Sequence, residues 1–285
     1  MHVTEFHVLL VDDEPDVHEL SRLAMRNFRV YGLPIRLHSA SSQAEGIEVM
    51  HSLTLGRPDL SMAQLALIDV VMETEHAGLE LCDYIRNVMK NRCMQLFVRT
   101  GQPGVAPERS VLDRYDIQGY LAKTEATEDK LYTVVKAGVR GSYFTALSLA
   151  LQDLLHCLAP AASSRARMAA AMREWQRLVR LDPTGKRHQT VECPECYFTG
   201  DEVIAGVEAW ADDAVALGRR AELVALPSVS LNEDGDSYTI DGRDLLVRVG
   251  PTDYMLRSTA PPPDWEVFLY HRYLRTFSAL WKQAS

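Results

Sequence analysis

The chain has 285 residues, 47% hydrophobic and 24% charged, which is enough apolar material for two cores and excludes wholesale disorder. Its net charge is −9, with 15 basic and 20 acidic side chains in residues 1–140 and 15 and 19 in residues 141–285. Neither half carries the basic surface that attracts nucleic acid or anionic lipid, which disfavours a DNA-binding role. No run reaches the ~18–20 uninterrupted apolar residues of a bilayer span, and the best candidate, residues 143–158, is broken by Gln152, Asp153 and His156. The opening MHVTEFHVLL lacks the basic stretch and cleavage site of a secretory signal, and the five cysteines have no framework spacing. A cytoplasmic protein without a membrane partner is expected.

Short apolar runs alternate with amphipathic stretches through the first 140 residues. FHVLLV, Phe6–Val11, reads as a buried strand ending in Asp12 and Asp13, and helical spacing follows over residues 15–28. Residues 35–40 form a second strand, and Ser42 with Glu45 makes a capping box that opens a helix through residue 55. A strand over residues 65–68 closes in Asp69. A helix over 79–90, a strand over 95–98, a short helix over 107–114, a strand at Gly119–Ala122 and a helix over 127–140 complete the series. Alternation of this kind predicts an α/β fold, a doubly wound five-stranded parallel sheet covered on both faces. Chemistry collects at the carboxyl ends of such strands. Asp12 and Asp13, Asp69, Thr100 and Lys123 fall there, after the first, third, fourth and fifth strands. Converging carboxylates repel unless a cation holds them, and Mg²⁺ suits an all-oxygen set. A carboxylate beside that ion can attack a phosphoryl group, with Lys123 adding charge and Thr100 a hydrogen bond.

VLLVDDEPDVHEL, LALIDVVME, FVRTGQPG and GYLAKTE resemble, in order and spacing, the motifs of two-component response-regulator receiver domains, whose fold is flavodoxin-like. The resemblance covers residues 5–140. It implies that Asp69 is the phosphoacceptor, and that Asp13, Asp12, Asp69 and the Val71 carbonyl bind Mg²⁺. It also makes Thr100 the switch hydroxyl, Tyr120 the switch aromatic and Lys123 the partner of the phosphoryl group. A sensor histidine kinase or phosphotransfer protein would be the donor, and an unidentified downstream protein the recipient of the signal. Two positions depart from the pattern: Thr124 and Glu73 stand where prolines are usual. DVVMETEHAGLEL and VRTGQPGVAPER are most similar to receivers heading regulators of the HD-GYP type. Paired HD and GYP motifs are absent from the sequence, so a phospho-accepting signalling protein that is not an enzyme is expected.

Residues 141–285 read as an α+β effector or interaction domain resembling a GAF-like fold. Helices are expected over 142–158 and 165–181, and Thr199-Gly-Asp-Glu202 has the form of a cap opening a helix through residue 217. Strands are expected over 221–229, 237–240, 244–249 and 254–258, with Asp241-Gly242 as a hairpin turn, before a helix over 265–281. Gly138 and Gly141 favour a break between the helices on either side; a continuous signalling helix, acting through a homodimer, is the other reading. Cys193-Pro-Glu-Cys196 with His188 supplies part of a zinc site, set against a redox-inert turn. Glu233, Asp234, Asp236, Asp241 and Asp244 would serve an enzymatic output with an unfamiliar motif, set against polar turn residues.

Overall fold

A computed structural model of the chain describes residues 4–54, 61–101, 109–125, 127–178 and 193–284. The chain divides into two compact units, Glu5–Ala146 and Leu147–Ser285.

In Glu5–Ala146 the strands are β1 (Phe6–Val11), β2 (Arg29–Val30), β3 (Leu33–Ala40), β4 (Ala63–Asp69), β5 (Gln95–Thr100) and β6 (Gly119–Ala122). They lie in the order β2-β3-β1-β4-β5-β6. All neighbours run parallel except the short β2, which turns back on β3 through Tyr31 and Gly32, both at positive φ. Without that hairpin strand the order is 2-1-3-4-5, the flavodoxin-like doubly wound arrangement. β4 is buried at every residue because helices cover both faces, which is why it reads as a continuous apolar run. Helices α1 (Pro15–Met25), α2 (Gln43–Ser52), α3 (Ala77–Asp83) and α4 (Arg109–Tyr115) follow the first four parallel strands. Leu9, Val11, Ala66, Ile68, Leu96 and Val98 pack with Met50 of α2 and Leu81 of α3 on one face. The capping box at α2 forms: Ser42 Oγ accepts from Glu45 N at 3.2 Å, and Glu45 reaches back to Ser41 N at 2.6 Å. Glu73 accepts from Gln43 N at 2.9 Å, adding a second carboxylate to the amino end of the same helix.

α5 (Glu128–Leu158) is one unbroken helix of 31 residues, which corrects the expected break at Gly138 and Gly141. Both glycines are there for close approach. A methyl on Gly138 would meet Leu65 Cδ1 at 2.8 Å, and one on Gly141 would meet Gln95 Oε1 at 3.0 Å. α5 is also long and apolar enough, by length and composition alone, to cross a membrane. Its Leu131, Val135, Val139, Tyr143, Leu147, Leu154 and Leu158 are nevertheless buried within the protein.

In Leu147–Ser285, α6 (Arg165–Leu178) precedes β7 (Glu195–Thr199), β8 (Glu202–Gly206), α7 (Asp213–Val224), β9 (Val229–Ser230), β10 (Ser237–Asp241), β11 (Asp244–Val249), β12 (Thr252–Arg257) and α8 (Asp264–Gln283). The strands form an antiparallel sheet in the order β8-β7-β12-β11-β10-β9. Tyr197, Leu245, Val247 and Leu256 face α8, α6 and the end of α5, while Cys196, Phe198, Leu246 and Met255 face α7. Two expectations are corrected here. Thr199-Gly-Asp-Glu202 is the turn of the β7–β8 hairpin, with Gly200 at φ +56°, and no helix begins there. The cap is Asp212, whose carboxylate accepts from Ala214 N and Val215 N; its helix covers the last residues of the expected helix, 213–217, and runs on over residues 221–224, expected as strand.

Candidate functional site

Parallel strands with ends in register bring β1, β4 and β6 to one rim. Asp12 follows β1, Asp69 ends β4 and Lys123 follows β6. Lys123 Nζ donates to Asp69 Oδ2 at 2.8 Å, to Glu14 Oε1 at 2.6 Å and to Asp12 Oδ1 at 3.2 Å. One carboxylate oxygen from each of Asp12, Asp13, Glu14 and Asp69 falls within 4.8 Å of the others. Asp12 and Asp69 are buried, whereas Asp13 and Glu14 are exposed.

Local structure fixes each group. Asp12 N donates to Ala40 O at 3.1 Å, extending the β1–β3 ladder by one residue. Buried His18 of α1 holds the Asp12 carbonyl at 2.6 Å. Glu14 N donates to Asp12 Oδ1 at 3.1 Å, the local turn that launches α1 at Pro15. Behind Asp69, Gly78 N donates to Val70 O at 3.2 Å, tying the loop to the strand end.

Burial pushes the Asp69 carboxyl above its ordinary range, against the pull of the Lys123 hydrogen bond and charge and of the Val71 backbone. Burial also disfavours the Lys123 ammonium, but its bonds to Asp69 and Glu14 outweigh this and hold it well above the usual lysine value. Glu14 is held below the carboxylate range by its hydrogen bond to Lys123. A site with one ammonium bonded to three carboxylates, and oxygen-only donors around it, has the chemistry that suits a hard divalent cation.

Of the other residues singled out in sequence, Val71 is 55% exposed beside Asp69, and Tyr120 is 46% exposed on β6. Thr100 ends β5, paired with Ala122, and its side chain lies outside the described part of the structure. Two members of the site escaped sequence reading. Glu14 looks like an ordinary acidic residue near a helix start. Arg99 looks like the solvated tip of a strand, yet it is 5% exposed with its Nη1 3.8 Å from Asp12 Oδ2. The signal for both was the run of charges at strand ends that must converge.

In the second unit, Cys193 and Cys196 are both buried, and burial pushes the Cys196 thiol up to about 12. His188 lies outside the described residues, and among the described ones no three-ligand group forms there. Asp244 pairs with Arg219 at 2.7 Å and Arg257 at 2.6 Å, and Asp236 with His271 at 2.8 Å. These carboxylates, expected as turn or catalytic residues, are themselves buried and hydrogen-bonded to Arg219, Arg257 and His271 around the β10–β11 hairpin.

No protein-family model matches the chain. It is 45% identical over 141 residues, 49% of its length, to the 3′3′-cGAMP-specific phosphodiesterase 2 of Vibrio cholerae. That stretch is 26% of the relative, so the chain spans about a quarter of that protein's length. Among solved structures, the signal receiver domain of an HD domain-containing protein from Pseudomonas fluorescens covers 49% of this chain and 98% of its own, at 15% identity and TM-score 0.39. A receiver domain of a histidine kinase from Clostridium thermocellum covers 47% and 97%, at 18% identity and TM-score 0.37. The expectation that the protein is not an enzyme is overturned by the first of these relatives, itself a phosphodiesterase.

Proposed function

We propose, taking Glu5–Ala146 as a receiver-type domain followed by a separate α+β unit, that the protein is a response regulator phosphorylated on Asp69. The observation that carries this reading is the Lys123 ammonium bonded to Asp69 at 2.8 Å inside the four-carboxylate cluster. A sensor histidine kinase or phosphotransfer protein presents a phosphorylated imidazole. An Asp69 oxygen attacks phosphorus, the O–P bond forms, the P–N bond breaks, and the bonding pair returns to the imidazole nitrogen. Lys123 is placed to follow the charge onto the new phosphoryl oxygens, and burial keeps its field strong. Asp13, Asp12, Asp69 and the Val71 carbonyl would hold Mg²⁺, which supplies charge neutralisation between donor and acceptor.

The phosphoryl group adds about −1.5 to −2 of charge, drawing Thr100 and Lys123 toward it and offering Tyr120 a route inward from its exposed position. The test is labelling with acetyl phosphate and Mg²⁺, read by intact mass. Wild type gains one phosphoryl group and Asp69→Asn gains none. Equal labelling of both would remove Asp69 from the role.

For the output, the 45% match favours control of a phosphodiesterase activity of the relative's kind. Hydrolysis of 3′3′-cGAMP that changes with the phosphodonor supports it. Hydrolysis absent in both states leaves the α+β unit as a protein-interaction or ligand-sensing module.

A further inference from the structure

Arg99 brings buried, unsatisfied donors to this site. It sits one residue before the end of β5, directly beside Asp69 in the β4–β5 register, and its side chain is 6% exposed. Burying a guanidinium is costly unless its N–H groups are used. Among the described residues, Arg99 Nε and Nη1 donate to no acceptor. Among the described residues the nearest counter-charge, Asp12 Oδ2, is also unbonded and stands 3.8 Å away, too far for a hydrogen bond.

Asp12 is already engaged through its other oxygen by Lys123 and by Glu14 N. Four carboxylates face two cations, leaving an excess of two negative charges when all are ionised. A divalent cation on the carboxylates would balance that excess. Asp12 Oδ2 would then serve the cation, and the Arg99 N–H groups would be left for an anionic oxygen.

We propose that Arg99 is a phosphoryl-binding residue of this site, a second fixed cation beside Lys123 whose unsatisfied N–H groups donate to oxygens of the incoming or transferred phosphoryl group. Planar guanidinium donors suit such an oxygen better than a single ammonium can. Arg99 would therefore contribute where Lys123 alone, shared among three carboxylates, is overcommitted. The inference rests on the phosphoryl-acceptor reading above.

The test uses the full chain with beryllofluoride as the phosphoryl mimic, titrated in saturating Mg²⁺ and followed by fluorine NMR. Mg²⁺ affinity is measured separately, without fluoride, by calorimetry. Arg99→Met should weaken beryllofluoride binding by about tenfold or more, as loss of a charge-assisted hydrogen bond requires. Its Mg²⁺ affinity should be unchanged or tighter, since a competing positive charge is gone. Arg99→Gln is read the same way and serves if the methionine variant does not fold. Beryllofluoride affinity equal to wild type would overturn the assignment. So would parallel loss of Mg²⁺ and beryllofluoride binding, which would make Arg99 a support for Asp12 only. Wild type that binds Mg²⁺ but no beryllofluoride would instead sink the phosphoryl-acceptor reading itself.

Discussion

A methyl group on Gly78 would lie 1.8 Å from the Asp69 carbonyl oxygen and 3.0 Å from Val70 Cα, backbone atoms that cannot swing aside. Gly78→Ala must therefore push the Asp69 segment off the rim. A cost of about 3 kcal/mol or more is expected in urea denaturation, with slowed labelling at Asp69. Wild-type stability in that variant would mean that the strand end yields freely. A second prediction concerns His7, whose ring stacks on His38 with Nδ1···Nε2 at 2.9 Å. Burial first, and the neighbouring His38 second, lower its pKa to about 4. The unfolded chain binds that proton near pH 6.5, so between about 6.5 and 4 it holds more protons than the folded one. Stability is full above that window and falls as the pH drops through it. His7→Gln should flatten that part of the profile; an unchanged slope would place the titration elsewhere. At this scale the sequence showed Asp12, Asp13, Asp69 and Lys123 clearly, because each ends an apolar run. Arg99 was hidden because burial of a charge at a strand tip depends on what the other strands bring over it.

Among the elements, α5 is the one whose local signals mislead. Glycine costs ~1 kcal/mol relative to alanine inside a helix, so two in four residues read as a break. The cost is offset because Leu65 and Gln95 press against those two positions, where any side chain would collide. Amides of residues 136–146 should exchange with deuterium as slowly as those of residues 131–135. Fast exchange confined to Gly138–Gly141 would mean that the helix breaks in solution. The β7–β8 hairpin misleads in the opposite direction. A Thr followed three residues later by Glu satisfies the capping pattern, but the same residues suit a turn with Gly200 at positive φ. The deciding information is the pairing of Thr199 with Thr252 across the sheet, which only the fold supplies.

For the molecule as a whole, the alternation of strands and helices made the first sheet legible because each βα unit is local in sequence. The second sheet joins residues far apart: β12 lies between β11 and β7, so β7 pairs with a strand more than fifty residues later. Helix-like and strand-like periodicities there had no local partner to arbitrate between them. If phosphorylation of the first unit is a signal, the second must register it. Deuterium exchange with and without acetyl phosphate and Mg²⁺ should change within Leu147–Ser285, and a change confined to Glu5–Ala146 would show the units to be uncoupled.

Lys123 has a single charge and three claimants. An ammonium so divided cannot strengthen one bond without slackening another, and Glu14, exposed on the rim, is the cheapest to abandon. Added negative charge at Asp69 would compete with Glu14 for that ammonium, at the head of α1. Through the one amine that both carboxylates share, a change at the end of β4 would be felt at the start of a helix on the other side of the rim.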